Sequence, residues 1–180
     1  MKKIIIAVAL FSFFNSNVFG YEKPNDPKEI LSYQEKQKII NWNLAKIQNI
    51  DEIEVELNSE KSPLYLLSKY GRSEFLNSIV FRENGLGGLN MAPLEDELTP
   101  GQIYQVLSLF GAQNIIHRFK RARIESSLDL LLLTQPKHEE SLESGPLGLP
   151  GENSEDYKGY ECSARATCAS KLRHICMSSC

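Results

Sequence analysis

All four cysteines of this chain fall in one stretch, CSARATCASKLRHICMSSC, from Cys162 to Cys180. Whatever that stretch becomes, its sulfur chemistry decides it. The spacing is C-x5-C-x7-C-x3-C. Structural zinc sites draw their ligands as close pairs from two knuckles, and only Cys176 and Cys180 form such a pair, even with His174 as a substitute ligand. There is no C-x-x-C, so a thioredoxin-type dithiol is disfavoured. Ser163, Thr167, Ser170, Ser178 and Ser179 would suit a peptide cross-linked through dehydrated Ser and Thr. Such precursors are modified in the cytoplasm, whereas this chain opens like an exported one, and Gly87-Gly88 lies too far upstream to be their leader cut. Two disulfides remain, in one of three connectivities.

A continuous helix over 164–178 would hold Cys168 and Cys176 about 12 Å apart, beyond the roughly 7 Å limit between bridged Cα atoms. That pair and that helix exclude one another. A hairpin setting Tyr160–Ala166 against Arg173–Ser178 favours Cys162–Cys176 with Cys168–Cys180 over the sequential arrangement. A module this small cannot bury enough surface to fold unaided, and disulfides are the usual remedy.

The other end of the chain fits an oxidising destination. Lys2 and Lys3 precede an apolar run from Ile4 to Phe14, and Val18-Phe19-Gly20 supplies small residues near a boundary. The pattern predicts a signal peptide over 1–20, cleaved after Gly20. As a helix the run would span about 17 Å, against the roughly 30 Å of a hydrocarbon core. No cysteine marks a lipoprotein boundary, and no later stretch is long and apolar enough to span a bilayer. Without Lys2 and Lys3 the net charge moves from −3 to −5. An acidic exported chain is a poor partner for nucleic acid or anionic lipid, and thiols pair in the compartments it reaches.

Between these ends the patterning is mostly helical. Asp26-Pro27-Lys28-Glu29 reads as a helix start, and Ile40, Leu44 and Ile47 share one face of a helix expected over 27–49, with a break near Asn41 and Asn43. Glu52–Leu57 alternates acid and apolar residues, the signature of a half-buried strand. An isolated strand is unstable, so either it has an unrecognised partner or the segment is helix. Ser62-Pro63 starts a helix that Tyr70-Gly71 ends, and Ser73 caps another over 74–82. Leu86-Gly87-Gly88-Leu89-Asn90 reads as loop. Thr99-Pro100-Gly101-Gln102 carries a capping box, with Leu98 and Ile103 placed as a staple and Ile103, Val106, Leu107 and Phe110 on one face. Asn114 caps a further stretch, continuing as helix to Thr134. From Gln135 the chain turns acidic and rich in Pro, Gly and Ser, which predicts a disordered linker over 135–157. The expected fold class is therefore mainly α, with at most one short strand. An α-rich domain over 21–134 is followed by the linker and a stapled module over 158–180.

Catalytic constellations are absent from the sequence. His138-Glu139-Glu140-Ser141-Leu142 lacks the second His of a zinc protease helix, and neither G-x-S-x-G nor G-x-x-x-x-G-K-[ST] occurs. Glycines 85, 87 and 88 have no strand–helix frame for a phosphate cradle, and none of His117, His138 and His174 sits in a recognisable acid–base arrangement. No metal and no cofactor is expected. Arg118, Lys120, Arg121 and Arg123 form a basic cluster wrapping round a helix, either a solvated face or a patch for an acidic partner. Arg165, Lys171 and Arg173 make the cysteine stretch basic.

The expected function is a non-enzymatic exported protein, periplasmic or extracellular, that docks on another protein or a cell-envelope surface through its helical domain and basic tail. Two alternatives stand beside it. In one, the linker is cut and the tail released as a secreted peptide. In the other, the chain is an enzyme without a short motif, its pocket near Glu95, Asp96, Glu97 or His117.

Overall fold

Thr99 does what its capping box dictates: its Oγ1 accepts from the Gln102 amide and Gln102 Oε1 from the Thr99 amide. In the computed structural model, which describes residues 33–134 and 156–180, this helix forms the centre of the core. Ile103, Val106, Leu107 and Phe110 are all buried, with Leu98 beside them. Phe75 meets Phe110 edge-on at 5.7 Å between ring centres, and Gly111 ends the segment at φ +66°.

The elements in order are α1 (Tyr33–Asn43), α2 (Ile50–Leu57), a 3-10 turn (Pro63–Leu66), α3 (Lys69–Asn77), β1 (Val80–Arg82), β2 (Gly85–Asn90) and α4 (Ala92–Glu97). There follow α5 (Pro100–Leu109), a second 3-10 turn (Gln113–Arg118), α6 (Ser127–Leu133), β3 (Tyr157–Ala164) and β4 (Thr167–Cys176). The four strands make one antiparallel sheet in the order β1-β2-β4-β3. The fold is α+β, which corrects the mainly-α expectation. Residues on both sides of the expected linker share the sheet, and the described residues belong to one compact unit. The signal peptide, and the linker up to 155, lie outside the described residues.

The largest correction concerns Leu86–Asn90, expected as loop and found within the buried strand Gly85–Asn90. Its glycines are there for close approach, since a Cβ on Gly88 would stand 2.6 Å from the Ile175 carbonyl oxygen. Gly88, Leu89 and Asn90 pair with Cys176, Ile175 and His174. A sequence window sees only residues that disfavour regular structure, whereas the neighbour strand makes them necessary. Val80–Arg82, expected as helix, is the matching edge strand.

Glu52–Leu57 is helix, within α2. Asn49 Oδ1 caps it through the Asp51 and Glu52 amides. Ile53 and Leu57 lie four apart and turn inwards, while Val55 is 71% exposed. The alternation fits a two-residue period and, through Ile53 and Leu57 alone, a helical one, and the cap decided between them. α1 ends at Asn43 as the asparagines suggested, but Leu44 is 78% exposed. Only Ile47 of the expected stripe is buried, beyond the helix, its amide donating to the Leu109 carbonyl at 2.9 Å. The earlier part of that helix, 27–32, is not among the described residues. Gly71 lies inside α3 rather than at its end, because Ser68 is the cap and the Glu97 carboxylate occupies the space a Cβ would need. Ser73 is mid-helix. The stretch after Asn114 is a 3-10 turn, not a helix running to Thr134. α6 starts afresh at Ser126, where a capping box with Asp129 forms.

Asp129 does more than cap its own helix. Its carboxylate also accepts from the Gly101 amide at 2.8 Å, so one acid ties α6 to the first turn of α5, where the helix dipole favours negative charge. The Gly101 amide, and then Ser126 and Glu125, hold the Asp129 pKa below the ordinary carboxylate range.

Candidate functional site

The cysteine stretch is a β-hairpin that folds back on itself. Its turn is tight, with Ala166 at φ +56°, and Cys162 faces Cys168 across the strands. Farther along, Lys158 pairs with Ile175 and Tyr160 with Ser170. β4 therefore carries extra residues, Lys171–His174, that bulge out of its ladder with β3 as a loop within the strand, while His174 still pairs with Asn90 of β2. A straight strand would put Cys168 and Cys176 roughly 26 Å apart, and the loop brings their Cα atoms to 5.9 Å.

The disulfides are Cys162–Cys180 and Cys168–Cys176, a nested arrangement. This corrects the favoured pairing Cys162–Cys176 with Cys168–Cys180. The expected hairpin placed its turn too late and had no loop within β4. After Met177 the chain turns, the Cys180 amide donating to the Met177 carbonyl and the Ala166 amide to the Cys180 carbonyl. Cys180 thus returns to the hairpin turn, where Cys162 lies. The exclusion of a helix by a Cys168–Cys176 bond does hold.

Arg173 fixes the loop to the helical layer. It is a non-glycine residue at φ +61°, a conformation that persists only where its surroundings enforce it. Its guanidinium forks onto Asp96 at 2.8 and 2.7 Å and reaches the buried Glu95 at 3.4 Å. Lys158 closes on Glu95 from the other side at 3.5 Å and donates to the Arg118 carbonyl. The Arg173 hydrogen bonds hold the Asp96 pKa down, with Arg121 contributing more distantly, and the same bonds raise that of Arg173. Glu97, the third acid singled out, accepts from the Ser68 amide and hydroxyl.

The expected basic patch therefore has divided employment. Arg173 is committed to Asp96 and Glu95. Lys171 pairs with Glu161, and Arg123 with Glu125 at 2.7 Å. Arg118 lends its carbonyl to Lys158, its Nε buried without a hydrogen-bond partner. Lys120, Arg121 and Arg165 face solvent. His117 is half-buried, its Nδ1 against the Asn114 carbonyl. Burial first, and then Arg118, push its pKa below the usual imidazole value.

At the loop's apex Leu172 is 84% exposed. Beneath it an open cleft of about 370 Å³ runs between α3, β2 and the hairpin, lined by Glu74, Asn77, Asn90, Glu161, Lys171 and His174. Among the described residues the sulfurs of Cys168, Cys176 and Cys180 lie within 4.8 Å of one another. All three are in disulfides, which leaves no thiolate there to ligate a metal. Sequence reading missed the Glu95–Asp96 anchor. The acids are visible, but their pairing with an arginine 77 residues away has no local signal. No family model, curated protein or solved structure matches this chain.

Two disulfides fit an oxidising compartment. No helix among the described residues is long and apolar enough to cross a membrane.

Proposed function

We propose that this chain is an exported protein that works by binding another protein, and that its contact element is the Lys171–His174 loop. One observation carries the reading: Leu172 stands 84% exposed at the apex of a loop whose ends are fixed. The Cys168–Cys176 disulfide closes its base, Arg173 clamps its middle to Asp96 and Glu95, and β2 pairs with its far side at His174. A loop held this firmly loses little conformational freedom on binding, and an exposed leucine beside a polar cleft suits a partner with an apolar pocket and a polar rim. Export rests on the Lys2–Gly20 pattern and on the disulfides.

Cross-linking in the native exporting cells tests this, comparing the wild-type chain with Leu172→Asp. The substitution changes an exposed side chain, so the melting temperature should stay within about 2 °C. A protein cross-linked by the wild type should be lost with the variant. Equal recovery by both forms would remove the loop as the contact element. Release of the tail as a free peptide, the rival reading, would strip β4 from β2 and bring the buried Ile175 to the surface. Mass spectrometry of the culture medium and envelope separates the two. Intact chain without free tail supports docking, and a free 158–180 peptide supports the precursor.

A further inference from the structure

Three sulfurs from two different disulfides share one small space, and the fourth sits beside a guanidinium. Cys168, Cys176 and Cys180 have their sulfurs within 4.8 Å of one another. Arg82 Nη2 is 3.2 Å from the sulfur of Cys162. Cys162 and Cys176 are buried, whereas Cys168 and Cys180 are partly open to solvent. Gly87 and Gly88 leave room for the cluster: a Cβ on Gly87 would meet the Cys162 sulfur at 3.1 Å, and Gly88 pairs with Cys176.

We propose that these four residues form a thiol–disulfide exchange centre, with Cys180 as the sulfur that accepts an incoming thiolate and Cys168–Cys176 as the bond that receives the reduction. The reductant is a dithiol, the chemical class used by oxidoreductases of exporting compartments. Its first thiolate attacks the accessible Cys180 sulfur. The Cys162–Cys180 bond breaks, and its electron pair leaves on Cys162, where the Arg82 N–H groups stabilise the thiolate as a positive neighbour does for low-pKa cysteines. The reductant's second thiol attacks its own mixed disulfide. That step releases Cys180 as a thiolate and turns the dithiol into a disulfide. Cys180 then attacks one sulfur of Cys168–Cys176. A new bond to Cys180 forms, and the displaced sulfur leaves as thiolate and takes up a proton. Two electrons and two protons have entered the protein, and the loop's closing bond has opened. That the opening changes partner binding rests on the proposed function, but the exchange itself does not.

The test uses the oxidised full chain with one equivalent of dithiothreitol, acid quenching, alkylation and mapping without reduction. Cleavage after Arg165, Lys171, Arg173 and Met177 separates all four cysteines. The expected species has Cys162 alkylated and Cys180 bonded to Cys168 or Cys176. Alkylation of Cys162 and Cys180 with Cys168–Cys176 intact overturns the relay, as does selective loss of Cys168–Cys176. Cys162→Ser, expressed in an oxidising compartment, should show Cys180 bonded to Cys168 or Cys176 without any reductant. A free Cys180 in that variant counts against the proposal. Arg82→Gln should slow the dithiothreitol reaction about tenfold, and a wild-type rate would overturn the assignment of Cys162 as the departing sulfur.

Discussion

At the scale of single residues, Arg173 and His117 show how much rests on charge placed against a helical layer. Arg173 holds a left-handed backbone, forks onto Asp96 and is one of two cations beside the buried Glu95. Arg173→Ala should therefore destabilise the protein by about 2 kcal/mol, less than a fully buried pair would because Lys158 stays and Asp96 faces water. Urea unfolding measures it, and an effect below about 0.5 kcal/mol would demote the anchor to a surface ion pair. His117 faces Arg118 and Lys120, with Asp156 the opposing charge. Its folded pKa is depressed, so the unfolded chain binds the proton more readily and stability falls as pH drops below about 6.5. His117→Gln should flatten that slope. Urea midpoints at pH 7.5 and 5.5 should differ more for the wild type, and equal differences would show the slope arises elsewhere.

Elements formed as the sequence predicts where their signals are local. α5 has its cap, its proline and its apolar face within twelve consecutive residues, and all were legible. α2 was ambiguous because Glu-Ile-Glu-Val-Glu-Leu fits a two-residue period and nearly fits a helical one. β2 was illegible. Glycine carries no preference for a buried strand, and the reason for Gly88 is a backbone oxygen 87 residues later. Gly88→Val should cost about 2–3 kcal/mol, because the clash is with main chain that cannot swing aside. Substitution at Gly159, where a Cβ meets nothing within 4 Å but φ is +89°, supplies the comparison. Valine there strains the backbone without touching the β2–β4 seam. Hydrogen exchange of both variants should therefore differ in the protection of the Leu89 and Ile175 amides, lost only in Gly88→Val.

On the scale of the whole molecule, the hairpin completes the sheet rather than hanging from it. Ile175 is fully buried, and Leu89 and Met91 lie beneath the seam. A two-stranded β1–β2 pair is marginal alone, so a chain ending at Thr134 should lose its cooperative melt and bind an apolar dye. A wild-type melt from that fragment would show that the helical layer folds without the hairpin. Sequence alone determined that four cysteines form two disulfides, that the α5 helix is core, and that basic residues gather near the sulfurs. Each follows from chemistry within a few residues of itself. Tertiary structure decided the disulfide pairing, the identity of β2 and the employment of Arg173. Each depends on a partner about 80 residues or more away, except the pairing, which the loop inside β4 set by bringing Cys168 to Cys176.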